Sequence, residues 1–303
     1  MTAALTAATA PAARTPRGPS GLVWAVLRVH RTALVFWGLA LTAATGCLIW
    51  MYALADDARR GASACAVPAT DRLPSCTAVN AITADETYSS GIALITTALS
   101  YLVFPVAAWA GGALIGRELE SGTAQLAWAQ SVTPARWLAA KLAVPAVLLA
   151  SGTGALVLVN LWARGDDNPN LVGDWYYSDV FIGTGPAAVA YALAGLALGA
   201  LAGLVCRRAL PAAGVGFAAA LVLYNVLDRY REDLRPTVTR VEAGGFEPPR
   251  SAWQMGWNDG LTRATYHPRS HFWPLQYVET GILLAVAAVA TLAAFGLLRR
   301  RMP

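Results

Sequence analysis

Between Gly116 and Leu142 the chain reads GRELESGTAQLAWAQSVTPARWLAAKL, and Arg117, Glu118, Glu120, Arg136 and Lys141 all fall in this one segment between long apolar runs. The chemistry these residues offer is binding and anchoring. Gly116 and Gly122 can break or cap helices. AQLAWAQS is long enough for about two helical turns. Thr133 followed by Pro134 reads as an N-cap and first helical position. Trp137 suits the edge of a membrane, as does Trp128, and Arg136 and Lys141 suit its inner headgroups. A helix end, a short surface helix and a new helix start can pass force from a soluble partner into two apolar segments. The plainer alternative is a connector whose charges mark a membrane boundary.

Sites for bond-making chemistry are harder to find. A P-loop needs Gly-Lys, and the sole lysine, Lys141, follows Ala140, so no nucleotide is hydrolysed by that route. His267 and His271 stand four apart in HPRSH, but Pro268 between them disfavours a helix. A solvated loop pair is the expected reading there, and a metal site the alternative. All three histidines lie outside the apolar runs, whose interiors hold no ionisable group, with Glu279 near the end of the last one. That pattern argues against a proton relay, a haem carrier, a voltage sensor and an intramembrane serine protease. Asn160, Tyr191, Tyr224 and Asn225 are polar within apolar runs. They can line a path or bridge helices by hydrogen bonds, and bridging is expected. Cys65 and Cys76, in CAVPATDRLPSC, are either a disulfide or two incidental thiols.

The elements that must position these groups are membrane spans. Of 303 residues, 56% are hydrophobic and 14% charged, against about 25% charged in a soluble domain. The apolar residues come in blocks of about 20, the length of a spanning helix. The fold class expected is an all-α polytopic membrane protein with six transmembrane helices, at about 33–54, 90–115, 142–162, 182–205, 211–227 and 275–298. Outer loops follow at about 55–89, 163–181 and 228–274. Pro105, Pro145 and Pro186 are expected to kink or break their spans. Gly195, Gly199 and Gly203, four apart, put a smooth face on the fourth span for close packing, at a dimer seam for example. The first block exceeds a signal-peptide core and reads as an uncleaved span. Residues 1–19, rich in Ala, Thr and Pro, read as a disordered tail, and 20–303 as one transmembrane domain. Leu22, Val23, Val26 and Leu27, with Arg28 and Arg31, suit an amphipathic helix on the inner membrane surface.

With the long 228–274 loop set aside, basic residues number twelve on the side of the termini and four on the other, which places both termini in the cytoplasm and the protein in the cell membrane. The net charge of +5 is explained by this flanking, and no basic stripe or zinc-finger spacing points to nucleic acid.

At RELESGTAQL…SVTPARWLAAKL the chain resembles the permease subunits of the ABC-transporter type-2 export family. Those subunits place an acidic pair and Gly-Thr after the second span, then a Pro-Arg element and a Lys entering the third. Glu118, Glu120, Gly122, Thr123, Arg136 and Lys141 match. The resemblance implies a permease working as a dimer, with a second copy or a paralogue, and driven by separate ATPase subunits. ATP and magnesium would bind there, with no cofactor bound by this chain. It implies that Arg117, Glu118, Glu120, Gly122 and Thr123 contact the ATPase, while Arg136, Trp137 and Lys141 anchor to the membrane interface. A membrane-anchored enzyme, or a sensor or scaffold acting through the 228–274 loop, is the competing reading.

Overall fold

A computed structural model describes residues 21–66, 79–130, 132–165, 168–242, 248–257 and 263–301. The 1–19 tail and the Cys65–Cys76 pairing lie outside the described residues and side chains. Helices dominate, as an all-α membrane protein requires. A short helix, α1 (Leu22–Val29), leads through His30 into α2 (Arg31–Ala66). Then come α3 (Val79–Tyr101) and α4 (Val103–Trp109), a π-helical stretch (Ala110–Gly116), α5 (Arg117–Glu120) and α6 (Thr123–Ala129). After these follow α7 (Pro134–Arg164), α8 (Pro169–Val172), α9 (Ser178–Gly183), α10 (Ala187–Cys206), α11 (Ala209–Tyr230) and α12 (Phe272–Arg301).

Five of these, α2, α7, α10, α11 and α12, are long and apolar enough to cross a membrane singly. The expected second span is instead a bent pair, with α3 and the α4–α5 run meeting at 42°. Pro105 explains the break. It has no N–H for the Tyr101 carbonyl and its ring crowds that carbonyl, so the helix yields at Leu102. Pro186 stands at the start of α10, after a break at Thr184 and Gly185. Pro145, by contrast, lies inside a continuous α7 and breaks nothing.

The break before α10 is repaired by α12. Gln276 donates to the Phe181 carbonyl, and its Oε1 accepts from the Ala187 N–H at 3.2 Å. One amide side chain therefore serves both chain ends freed by the interruption, as a water-poor interior demands.

α10 is the hub. It packs against α4, the π-helical stretch, α7, α11 and α12. Of its most apolar stretch 67% is buried, against 6% for peripheral α2. The glycine face expected on this helix exists, but it packs within the chain, not at a dimer seam. A Cβ on Gly195 would stand 2.6 Å from the Val103 carbonyl oxygen, and one on Gly203 2.6 Å from the Ile115 Cβ. Facing them, a Cβ on Gly111 would stand 2.5 Å from the Ala212 oxygen. Gly116 likewise packs tightly, against Arg208 and Ala209, and does not end a helix.

The 228–274 region holds a small antiparallel sheet that the apolar pattern does not announce. β1 (Val238–Val241) and β2 (Trp253–Trp257) flank β3 (Arg263–His267), with Thr239 opposite Thr265 and a bulge between Gln254 and Gly256. Trp253 and Tyr176 stack with ring centres 6.1 Å apart, and the Trp175 indole donates to the Ser251 carbonyl at 2.7 Å, so the sheet is seated on the α8–α9 segment.

Gly195→Ala should lower the unfolding temperature of the purified protein, since overpacking typically costs about 1–3 kcal/mol. Gly214→Ala, where the added carbon meets nothing within 4 Å, should leave it unchanged or raised. Equal responses would show that the seam is not close-packed.

Candidate functional site

The connector after the second span is built by local rules. Gly122 adopts φ 75°, ψ 2°, a left-handed conformation that ends α5 and turns the chain into α6. Thr133 caps α7, its hydroxyl accepting from the Arg136 N–H at 3.3 Å, with Pro134 at the first helical position, as the sequence pattern indicates.

Both acids of the pair are tied to other helices, Glu118 from a half-buried and Glu120 from an exposed position. Glu118 Oε1 is ion-paired with the Lys141 ammonium, and Oε2 accepts from the Trp137 indole N–H at 3.2 Å. Lys141 also donates to His30 Nε2 at 2.9 Å. An ammonium can only donate, so His30 is neutral here with its proton on Nδ1. Burial and then the Lys141 charge lower its pKa to about 4. Glu120 Oε2 accepts from the Ala209 N–H at 2.8 Å, placing a carboxylate at the positive end of α11.

Two interface expectations are corrected by this geometry. Lys141 is 3% exposed and Trp137 3% exposed, so neither reaches lipid headgroups from this position. The carboxylate of Glu118 holds both inside, and of that trio only Arg136 stays exposed. Arg117, Thr123, Gln125 and Leu126 are the exposed side of the connector. Leu126 is 64% exposed, a large apolar side chain on a short polar element.

The polar residues of the apolar runs divide. Asn160 is fully buried and donates to Thr96 Oγ1 at 3.3 Å and the Gly183 carbonyl at 3.1 Å, tying α7 to α3 and α9. Tyr224 shares a 3.1 Å hydrogen bond with Ser100. Tyr191 donates to Glu279 Oε1 at 2.8 Å. These three bridge helices. Asn225 does not: it lies on the exposed face of α11 and donates to the Leu221 carbonyl at 2.7 Å.

The expectation of apolar runs free of ionisable groups fails at Glu279. This residue is fully buried in α12 and forms a two-point pair with Arg231, Nε to Oε2 at 2.8 Å and Nη2 to Oε1 at 3.2 Å. Arg231, 1% exposed, also donates to Asp228 Oδ1 and Ser178 Oγ, both at 3.1 Å, and lies 4.5 Å over the Phe181 ring. The signal was a lone acid in the apolar run LQYVETGILL, which needs a buried partner.

His267 and His271 are also buried, not a solvated pair. Their Nδ1 atoms are 3.0 Å apart, and His267 Nε2 donates to the Glu232 carbonyl at 3.0 Å. That fixes His267 Nδ1 as acceptor and His271 Nδ1 as donor. Among the described residues no group of three or more His, Cys, Asp or Glu is placed to hold a metal.

A bundle with a broken second span, a charged connector and apolar helices long enough to cross a bilayer has the architecture of a multi-pass membrane protein. The family model described as ABC-2 membrane transporter related matches residues 36–231, and the chain belongs to that family. The match begins in α2 and ends at Arg231, so it takes in the connector and both of its carboxylate ties. Comparison with curated proteins and with solved structures gave no match.

Two outcomes follow from the charges. Glu279→Gln should destabilise the protein by about 3–5 kcal/mol, because it removes the buried two-point partner of a buried guanidinium and leaves only the exposed Asp228 to match it. The double variant Glu279→Leu/Arg231→Met should recover much of that loss, and thermal unfolding in detergent measures both. His30 resists protonation only when folded, so its contribution is full above about pH 6.5 and declines as pH falls toward about 4. Unfolding temperature recorded across this range should flatten in His30→Gln.

Proposed function

We propose that this chain is the membrane-spanning permease subunit of an ATP-binding-cassette export system. It is not itself an enzyme. It works with a second copy or a paralogue in the cell membrane, both termini on the cytoplasmic side, and forms the translocation path. A separate subunit binds ATP and magnesium and hydrolyses the nucleotide. The observation that carries this reading is the connector. Its carboxylates bind it to two helices of its own chain, while its outer side offers Leu126 and Arg117.

In this reading Arg117, Glu118, Glu120, Gly122 and Thr123 couple the ATPase to the bundle by two different means. Glu118 and Glu120 transmit: they join the connector to α7 and α11. Gly122 sets the turn that projects α6. Arg117, Thr123 and Leu126 meet the partner, an apolar knob with a charged neighbour suiting a groove on a soluble subunit. The exposed face of α11, with Leu221, Val222, Asn225 and Val226, suits the second permease, since an asparagine among apolar residues gains a partner across a helix seam.

The test is affinity purification of the tagged chain from its native membrane. A P-loop ATPase should co-purify in near-equal amount. Leu126→Asp should abolish that association while leaving the unfolding temperature within a degree or so of wild type, as expected for an exposed position. Recovery of the chain without any ATPase would refute the reading.

A further inference from the structure

At the end of the bundle remote from the connector, α3, α8 and α9 line an open cleft of about 280 Å³. Asp179, Ser89 and Ser90 supply its polar side, Tyr177 an aromatic rim, and Leu171 and Val180 an apolar floor. Gly173, at φ +78°, keeps the floor open, because a Cβ there would stand 3.2 Å from Val180. Asp179 Oδ2 accepts from the Thr97 hydroxyl at 3.1 Å. Ser89 donates to the Glu86 carbonyl at 3.1 Å, which leaves its oxygen as an acceptor.

Among the described residues no Arg, Lys or His lines this cleft, and Asp179 forms no ion pair. The guanidinium next along, Arg231, touches Ser178 but is already matched by Glu279 and Asp228. Arg164 is buried behind the floor and donates to the Val172 carbonyl at 3.0 Å. Among the lining residues Asp179 is the one charged side chain. A half-buried carboxylate of this kind repels anions, and a neutral alcohol leaves its charge uncompensated.

We propose that the cleft binds a primary ammonium carried on an apolar tail. Three N–H donors meet the carboxylate and the hydroxyl oxygens, and the Tyr177 ring offers its face to the cation. The volume is just below that of pockets holding whole drug-sized ligands, so it takes the head and the first few carbons. The tail leaves along α3, where Ala93 and Leu94 are exposed. A free alkylamine and the headgroup of phosphatidylethanolamine share this chemistry.

The full chain, purified in a neutral detergent, is titrated calorimetrically with octylammonium and, for comparison, octanol. Its unfolding temperature is then measured in vesicles of phosphatidylcholine with and without phosphatidylethanolamine. The expected result is saturable binding of octylammonium but not octanol, or stabilisation specific to phosphatidylethanolamine. The first assigns the site to free amines and the second to lipid. Asp179→Asn should weaken the response about tenfold, the usual worth of a charged hydrogen bond. Ala93→Phe, at an exposed position that lines the cleft, should block it with the carboxylate intact. Equal responses in wild type and both variants, octanol binding as tightly as the amine, or no saturable response to either source would overturn the proposal. Binding is read without an ATPase, so its failure is distinct from failure of the transport reading.

Discussion

The fold depends on how closely α10 approaches the broken second span. In lipid no hydrophobic force draws one helix to another, so packing and interhelical hydrogen bonds must do it. Gly195 and Gly203 remove the side chains that would hold α10 away from Val103 and Ile115. Gly111 does the same opposite α11, and Gly216 of α11 sits where a Cβ would come 2.8 Å from the Ala107 oxygen. Three helices thereby meet at backbone distance. The contact explains why α10 carries so little polar surface: almost every side faces another helix, and alanine and glycine fill the space. It also explains why a span bent at Leu102 and underwound into a π-helical stretch at Ala110–Gly116 keeps its shape. Its irregular backbone is covered by protein, the only place such backbone is tolerated at membrane depth.

Around this seam the charges are confined to clusters at its two ends. At one end Lys141, Glu118 and His30 join α7, α5 and the α1–α2 junction. At the other Arg231, Glu279, Asp228 and Tyr191 join α11, α12 and α10. The Lys141 and Arg231 cations are buried, so removing Glu118 or Glu279 leaves a buried charge without its main partner. The His267–His271 pair is neutral for the same reason: burial pushes the His267 ring below its ordinary range. The clusters therefore act less as sources of net stability than as registers that fix which helix end meets which.

The spans were legible from hydropathy because length and apolarity are local properties. The Thr133–Pro134 start of α7 and the interruption at Pro105 were legible for the same reason, each needing only neighbours in sequence. What stayed hidden was pairing at a distance. Lys141 and Trp137 have the composition of interface anchors, and nothing within a few residues of either announces that Glu118 draws them inside. Glu279 looks like a residue at the margin of a span until Arg231, 48 residues away, is placed beside it. The three-stranded sheet escaped notice because β1 is exposed along its whole length and carries no alternating pattern. The glycine stripe announces a close-packing face, but spacing reports that a surface is smooth and not what lies against it.

The connector shows how local and distant constraints combine. Gly122 and Thr133 fix where α6 begins and where α7 starts, yet neither ties the connector to the bundle. Glu118 and Glu120 supply those ties, in opposite directions, to α7 through Lys141 and Trp137 and to the start of α11 through the Ala209 N–H. Two carboxylates a residue apart thus hold one short segment between two long helices. A load applied to α6 reaches both helices through charge-assisted bonds, which are short and directional, and not through a flexible loop. The bend at Leu102 lies on the same span, and His30 brings α1 into the same cluster. Movement of the connector is therefore mechanically inseparable from movement of α1, α7 and α11. Leu126 stands exposed on α6, the element held between those two ties.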